Sequence, residues 1–205
     1  DDLLSMLAHE LRNPLAPIRN AAHLLKRGGA QGEVVVRVAE LLERQIGHMA
    51  RIVDDLLDVS RLAHGRLELR CEELDLRSVV EEAVRDAGPV FDAAGLSLLA
   101  VLSETPVKVS ADPARVRQAL ENLLTNARKF TGPGGTVEVT VGTPGGSAEA
   151  FVSVSDTGVG IDAETLPRLF SVFNQSGTTL DRPLGGLGLG LALVKGLVEL
   201  HGGAV

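Results

Sequence analysis

The sequence predicts an α+β protein in two parts. Residues 1–65 read as an N-terminal helical hairpin suited to a dimeric four-helix bundle, and residues 66–205 as an α/β sandwich. Three observations carry this reading. Apolar residues recur at helical spacing through the first part, then give way to short alternating runs that read as strands. Glycine-bearing breaks fall where the pattern changes. The length of 205 residues, with 44% hydrophobic and 23% charged, suits two small folded parts and excludes a disordered or collagen-like chain.

The first helix follows from stepping alternately by four and three: Leu4, Ala8, Leu11, Leu15, Ile18, Ala22 and Leu25 are all apolar. The second follows from the same steps through Val35, Val38, Leu42, Gln45, Met49, Ile52, Leu56, Val59 and Ala63, with Gln45 the one polar break. Such spacing averages about 3.5 residues, the seam of a left-handed coiled coil or bundle. The stretch Arg27-Gly28-Gly29-Ala30-Gln31-Gly32 turns the chain between them. Leu41, Ile46, Val53 and Leu57 widen the second stripe beyond a two-helix seam, so a homodimer is expected to bury the surplus. The alternative is that the hairpin packs on the second part of the same chain.

Beyond residue 66 the elements are shorter. Leu67-Glu68-Leu69, Leu74-Asp75-Leu76 and Val107-Lys108-Val109 alternate like strands, and helical patterns cover residues 77–94 and 113–130. Strand patterns return at Val137-Glu138-Val139-Thr140-Val141 and Ala150-Phe151-Val152-Ser153-Val154, on either side of the turn Thr143-Pro144-Gly145-Gly146. A glycine-rich stretch then leads into a last helix over 189–200. This order suggests one sheet with helices on one face.

Charge and composition restrict the partners. A net charge of −7 argues against a binder of nucleic-acid backbone, which needs clustered Lys and Arg. No window holds the roughly 18 uninterrupted apolar residues of a membrane span, and no signal peptide opens the chain. Cys71 is the single cysteine, which excludes an internal disulfide and fits a reducing compartment. The expectation is a cytoplasmic fragment with no membrane contact of its own, cut from a parent that is either soluble or membrane-anchored.

Four clusters carry chemistry. In His9-Glu10-Leu11-Arg12-Asn13-Pro14, Glu10 and Asn13 surround an imidazole at the edge of the apolar seam. A neutral imidazole is a nucleophile, and a neighbouring carboxylate can orient it and take its proton; taken alone, this is also the pattern of a surface histidine on a charged helix face. In Asn122-Leu123-Leu124-Thr125-Asn126-Ala127-Arg128-Lys129-Phe130, two amides four apart and a lysine share one helix face, suited to Mg²⁺ and phosphate or simply to solvent. Asp156-Thr157-Gly158-Val159-Gly160 sets an acceptor carboxylate by a strand end, able to hold an exocyclic amine or to make an ordinary Asp-Gly turn. Gly185-Gly186-Leu187-Gly188-Leu189-Gly190 enters a helix as an anion-binding loop would, without the Lys-Ser/Thr ending of a P-loop.

With Phe170-Ser171-Val172-Phe173, these clusters resemble, in order, the H, N, G1, F and G2 boxes of bacterial two-component sensor histidine kinases, across nearly the whole chain. The resemblance implies a dimerisation and phosphotransfer hairpin followed by a Bergerat-type ATP-binding fold, with ATP and Mg²⁺ as cofactors and a response-regulator receiver domain as partner. It implies His9 as phosphoacceptor, Glu10 as its acid/base partner and Asn13 as a support for phosphotransfer and dephosphorylation. Asn126 would ligate Mg²⁺, with Asn122 beside it, Lys129 on phosphate and Phe130 closing the motif. Asp156 would hold the adenine amine, with Gly158 and Gly160 shaping the pocket floor. Phe170 and Phe173 would anchor a lid over residues 171–184, and Gly186, Gly188 and Gly190 would cradle the phosphates.

The related gyrase-type ATPases carry a glutamate four residues before the Mg²⁺ asparagine. Here that position is Asn122, which cannot act as a base, so a kinase is favoured; a silent nucleotide-binding scaffold and a gyrase-type ATPase are the alternatives. The junction Ala63-His64-Gly65-Arg66 is expected to act as a hinge. His23 and His48 are expected to be solvated, His64 to end a helix, His201 to make a local contact and Cys71 to pack as a small hydrophobe. Family members continue past His201-Gly202-Gly203 with further strands, so the sandwich is expected to be cut short at its C-terminus and the chain to be the core of something longer.

Overall fold

The hairpin forms as its periodicity predicts. In a computed structural model, which describes residues 2–26, 32–144, 149–171 and 187–205 with side chains from Leu11 onward, helix α1 spans Asp2–Lys26 and α2 spans Glu33–Ala63. Gly32, at φ +55°, enters α2, a backbone angle that favours glycine. Pro14 and Pro17 both lie inside α1, which runs through them. Each removes one N–H from the helix ladder, leaving the carbonyls of Glu10 and Asn13 without that donor.

Along α2, burial follows the predicted seam from Val38 to Val59, with Val38 and Ile52 buried and Leu42, Gln45, Met49, Leu56 and Val59 half-buried, while its two ends, Val35 and Ala63, are exposed. Along α1 the covered strip is Leu11, Pro14, Ile18 and Ala21, whereas Leu15, Ala22 and Leu25 are exposed. The apolar face of α1 is thus wider than α2 can cover, and only one side of it is used within the hairpin. On α2, Ile46, Val53 and Leu57 are likewise exposed. His48 is half-buried rather than solvated; His23 is exposed as expected. Leu187 and Leu189 pack with Ile52, flanked by Leu11, Leu56 and Val59, and by its packing this unit takes in residues 187–189 with the hairpin.

The second unit contains β1 (Glu72–Asp75), α3 (Leu76–Ala93), β2 (Ser97–Leu102), β3 (Lys108–Ala111), α4 (Pro113–Phe130), β4 (Thr136–Gly142), β5 (Phe151–Asp156), a 3₁₀ turn (Leu166–Arg168) and α5 (Gly190–Leu200). Among the described residues the strands form two sheets rather than one. β1 pairs antiparallel with β3, while β4 lies between β2, to which it is parallel, and β5, to which it is antiparallel. The β1–β3 ladder ends after four pairs because each strand runs straight into a helix cap. The core lies between α3, α4 and one face of β4, where Val80, Phe91, Leu120, Leu124, Val137, Val139 and Val141 are buried together.

Two capping aspartates explain where strands yield to helices. Asp75 accepts from the Arg77 N–H at 3.1 Å and from the Val107 N–H at 3.0 Å, and its side chain pairs with the Arg77 guanidinium at 2.7 Å. Leu76 therefore opens α3 instead of closing a strand. Asp112 caps α4 by accepting from Ala114 and Arg115, and its second oxygen accepts from the Arg70 N–H at 2.9 Å. This last bond draws residues 66–71 into a strap on Asp112, so Leu67-Glu68-Leu69 is not a strand, although Leu67 is buried. Cys71, on the same strap, is exposed rather than packed. β2 does not announce itself as a strand because Leu98 to Leu102 is a short continuous apolar run without alternation, although Leu99, Val101 and Leu102 are exposed.

The Arg77 side chain bonded to Asp75, with help from the two backbone donors, holds that carboxyl down at about 2. A carboxyl depressed in the folded state stabilises above its unfolded value of about 4 and loses that contribution as pH falls toward 2. Asp75→Asn keeps a capping oxygen but loses the ion pair with Arg77, so it should cost about 0.5–1 kcal/mol near neutral pH and leave stability less steeply dependent on acid. Urea midpoints measured from pH 7 down to pH 2 check both.

Candidate functional site

The site is built on α4. Asn122, Asn126 and Lys129 stand at i, i+4 and i+7, within roughly 60° of one another around the helix, and all three are half-buried. Glu121, one step away, is exposed. Asn122 Nδ2 donates to the Gln118 carbonyl at 3.2 Å, which leaves its oxygen turned to the first residue of α5. A Cβ on Gly190 would stand 2.6 Å from Asn122 Oδ1, so α5 begins in close contact with the amide row.

The other end of the row is closed by the turn after β5. Asp156 ends that strand, exposed, with Oδ1 accepting the Gly158 N–H at 2.8 Å. A Cβ on Gly158 would stand 2.5 Å from the Phe130 carbonyl oxygen, and the Val159 N–H donates to that oxygen at 3.3 Å. Only glycine lets the turn press on the last carbonyl of α4. Gly160 and Gly188 take φ of +73° and +65°, left-handed positions that favour glycine. Lys129 Nζ lies 4.9 Å from the centroid of the Phe130 ring, a cation–π distance, and that ring is partly exposed.

One surface thus gathers Asn122, Asn126 and Lys129 between Gly158 and Gly190, with Asp156 at the strand end. Amide oxygens suit a hard cation that takes its other ligands from water and phosphate, and the ammonium suits a phosphate oxygen. A carboxylate with one oxygen committed to its own turn retains acceptor capacity for an amine. His9, Glu10 and Asn13 lie on α1, and Asn13 is exposed. The side chains of His9 and Glu10 lie outside the described ones. Phe170 is half-buried just after the 3₁₀ turn. Phe173, Gly186 and the predicted lid beyond Ser171 lie outside the described residues.

Three features escaped the sequence reading. Asp112 is buried: burial pushes its carboxyl up, but the N–H donors of Arg70, Arg115 and Ala114 outweigh this and hold it below its ordinary value. Its position before Pro113 is a helix-start signal that could have found it. His201 reaches Asp112 across the fold instead of making only a local contact. Thr131, which follows Phe130, keeps a buried hydroxyl without a partner among the described residues.

Comparison with known proteins matches this arrangement. Residues 1–65 match the His Kinase A (phospho-acceptor) domain, and residues 111–205 match the family of histidine kinase-, DNA gyrase B- and HSP90-like ATPases. The chain belongs to the histidine kinases. Over 202 residues, 98% of the chain, it is 37% identical to the histidine protein kinase DivJ of Caulobacter vibrioides, covering 33% of that protein. It is 37% identical to the circadian input-output histidine kinase CikA of Synechococcus elongatus, matching all of the chain and 27% of CikA. The chain therefore spans about a third or less of these relatives. Among solved structures, the histidine kinase AdeS of Acinetobacter baumannii superposes with a TM-score of 0.68 at 26% identity, covering 93% of the chain and 86% of AdeS. Full-length ShkA in complex with AMPPNP superposes with a TM-score of 0.68 at 31% identity, covering 97% of the chain and 40% of ShkA. This histidine kinase core thus pairs a phosphoacceptor module with an ATP-binding one, and no described helix is long and apolar enough to cross a membrane.

Gly158→Ala should weaken nucleotide binding at least ten-fold or lower the thermal midpoint by several degrees, since the obstruction is backbone that cannot swing aside. Gly47→Ala, inside α2 with open space around it, should instead stabilise by about 0.5–1 kcal/mol. Thermal melts and nucleotide titrations of the two variants read the contrast.

Proposed function

We propose that this chain autophosphorylates His9 from Mg-ATP and passes the phosphoryl group to an aspartate of a response-regulator receiver domain. The observation that carries the proposal is the single α4 face holding Asn122, Asn126 and Lys129, closed by glycine contacts at Gly158 and Gly190. The glycines let the turn after β5 and the start of α5 press directly on the two ends of the amide row, which keeps side chains off the face that a nucleotide and its phosphates would use. ShkA, a similar structure, is described in complex with AMPPNP, an ATP analogue, which supports a nucleotide here.

Each residue then has a role. Asp156 accepts the adenine amine through the oxygen its turn leaves open, while Gly158 and Gly160 form the pocket floor. Lys129 meets phosphate. Asn126, with Asn122 beside it, holds Mg²⁺, which when bound offsets charge on the phosphates. Gly186, Gly188 and Gly190 are assigned to the phosphate chain, and Phe170 and Phe173 to the segment that covers the nucleotide. A His9 ring nitrogen attacks the γ-phosphorus in line, the bond from phosphorus to the β–γ bridging oxygen breaks, and ADP leaves. Glu10 takes the proton released by the imidazole. The receiver's carboxylate then attacks the phosphohistidine, with Asn13 in support.

The working form is a homodimer through the hairpin. The exposed apolar row Ile46, Val53 and Leu57 on α2, with Leu15 and Leu25 on α1, is the surface a second hairpin would cover. We divide the chain at residues 65 and 66, where Gly65 turns at φ +61°. An exposed free thiol at Cys71 and dependence on ATP favour the cytoplasm.

The test is incubation with Mg²⁺ and γ-labelled ATP. The intact chain should gain an acid-labile, alkali-stable label. His9→Gln should abolish it while leaving ATP affinity within two-fold, and Asn126→Ala should cut it by about a hundred-fold or more. ATP binding without label would identify a silent scaffold, and steady ADP release from His9→Gln would identify an ATPase.

A further inference from the structure

Helices α4 and α5 touch at two defined points. Near the start of α5, Gly190 rests against Asn122. Just past its end, the His201 ring bridges back to the start of α4: the Asp112 N–H donates to His201 Nε2 at 3.0 Å, and Nδ1 lies 2.7 Å from the Leu197 carbonyl oxygen. A backbone N–H can only donate, so Nε2 accepts and bears no proton. Nδ1 then carries the ring proton and donates it to Leu197. The two bonds together select a single neutral tautomer, clamped to its own helix on one side and to the cap of α4 on the other.

The spacing gives these contacts a mechanical meaning. From Asp112 to Asn122 is about 15 Å of helix, and from Gly190 to His201 about 16.5 Å, at the rise of an α-helix. The contacts therefore sit at matching distances along two antiparallel helices. Between them Leu193, Val194 and Leu197 are buried. Apolar burial is non-directional, whereas a hydrogen bond to a fixed backbone N–H specifies one position. Asp112 is itself immobilised by donors from Arg70, Ala114 and Arg115, so the anchor is rigid.

We infer that His201 is a positioning residue for the nucleotide site: its imidazole, bonded to Asp112 and Leu197, sets the axial register of α5 on α4 and thereby where the glycine entry to α5 meets Asn122 and Asn126. The inference rests on the proposed reading of the α4 face as the nucleotide site. Its effect falls on the phosphate end, because the adenine end is held from β5 and the turn at Gly158.

Three substitutions in the whole chain test it, with Mg-ATP and adenosine titrated by calorimetry and thermal unfolding recorded alongside. Asparagine places a polar group only where Nδ1 stands, whereas glutamine carries its carbonyl oxygen out to the position of Nε2. His201→Leu and His201→Asn should weaken Mg-ATP about ten-fold, the equivalent of one lost hydrogen bond, while adenosine affinity changes less than two-fold. His201→Gln should restore Mg-ATP affinity to within about three-fold of the parent. Equal Mg-ATP affinity across the three variants and the parent overturns the inference. A parallel loss of ATP and adenosine, or loss of cooperative unfolding in the glutamine variant as well, also overturns it, by making His201 a residue of general stability. An unsubstituted chain that binds no Mg-ATP takes down the reading of the α4 face first, and that outcome is visible before any variant is made.

Discussion

A carboxylate that takes three backbone N–H donors at one place constrains every segment that supplies them, and Asp112 does this at the start of α4. Two donors belong to the first turn of α4 and the third to the strap before β1, while its own N–H is held by the end of α5. The buried oxygen atoms would be costly without these partners. The first turn of α4, the strap and the end of α5 therefore meet at one residue. Asn122, Asn126 and Lys129 inherit their placement from that point, since a helix fixed at its first turn is fixed in rotation along its length.

Asp75 repeats the device at α3, and Arg117 ties the two helices across their exposed side by reaching Glu82 at 2.6 Å and Asp86 at 2.8 Å. The hairpin is organised differently. Its order comes from apolar stripes, and each stripe is broader than the contact one partner helix can make. One unit is thus specified by directional bonds at helix ends and the other by side-chain pattern along helix lengths.

These two kinds of specification were not equally legible. Both hairpin helices, α4 and β4 declared themselves through the period of their apolar residues, because that signal is local. The amide row and the turn at Asp156 were readable for the same reason: each lies within nine consecutive residues. What escaped notice depends on partners far away in sequence. β2 carries no alternation, so only its pairing with β4 marks it as a strand, and residues 67–69 alternate but run into Arg70, whose N–H is taken by Asp112 more than forty positions later. The His201 contact spans an even longer separation, and the face of α1 that is covered depends on its neighbour rather than on its own pattern.

The exposure of Cys71 has a practical consequence for the study of assembly. With one thiol per chain, oxidation in air can link only two copies, and only through this residue. A reductant-sensitive two-chain band is then a chemical artefact of the strap and carries no information about the apolar faces of the helices. The same residue accepts a single maleimide dye at a known address, so the stoichiometry of complexes can be counted one fluorophore per chain.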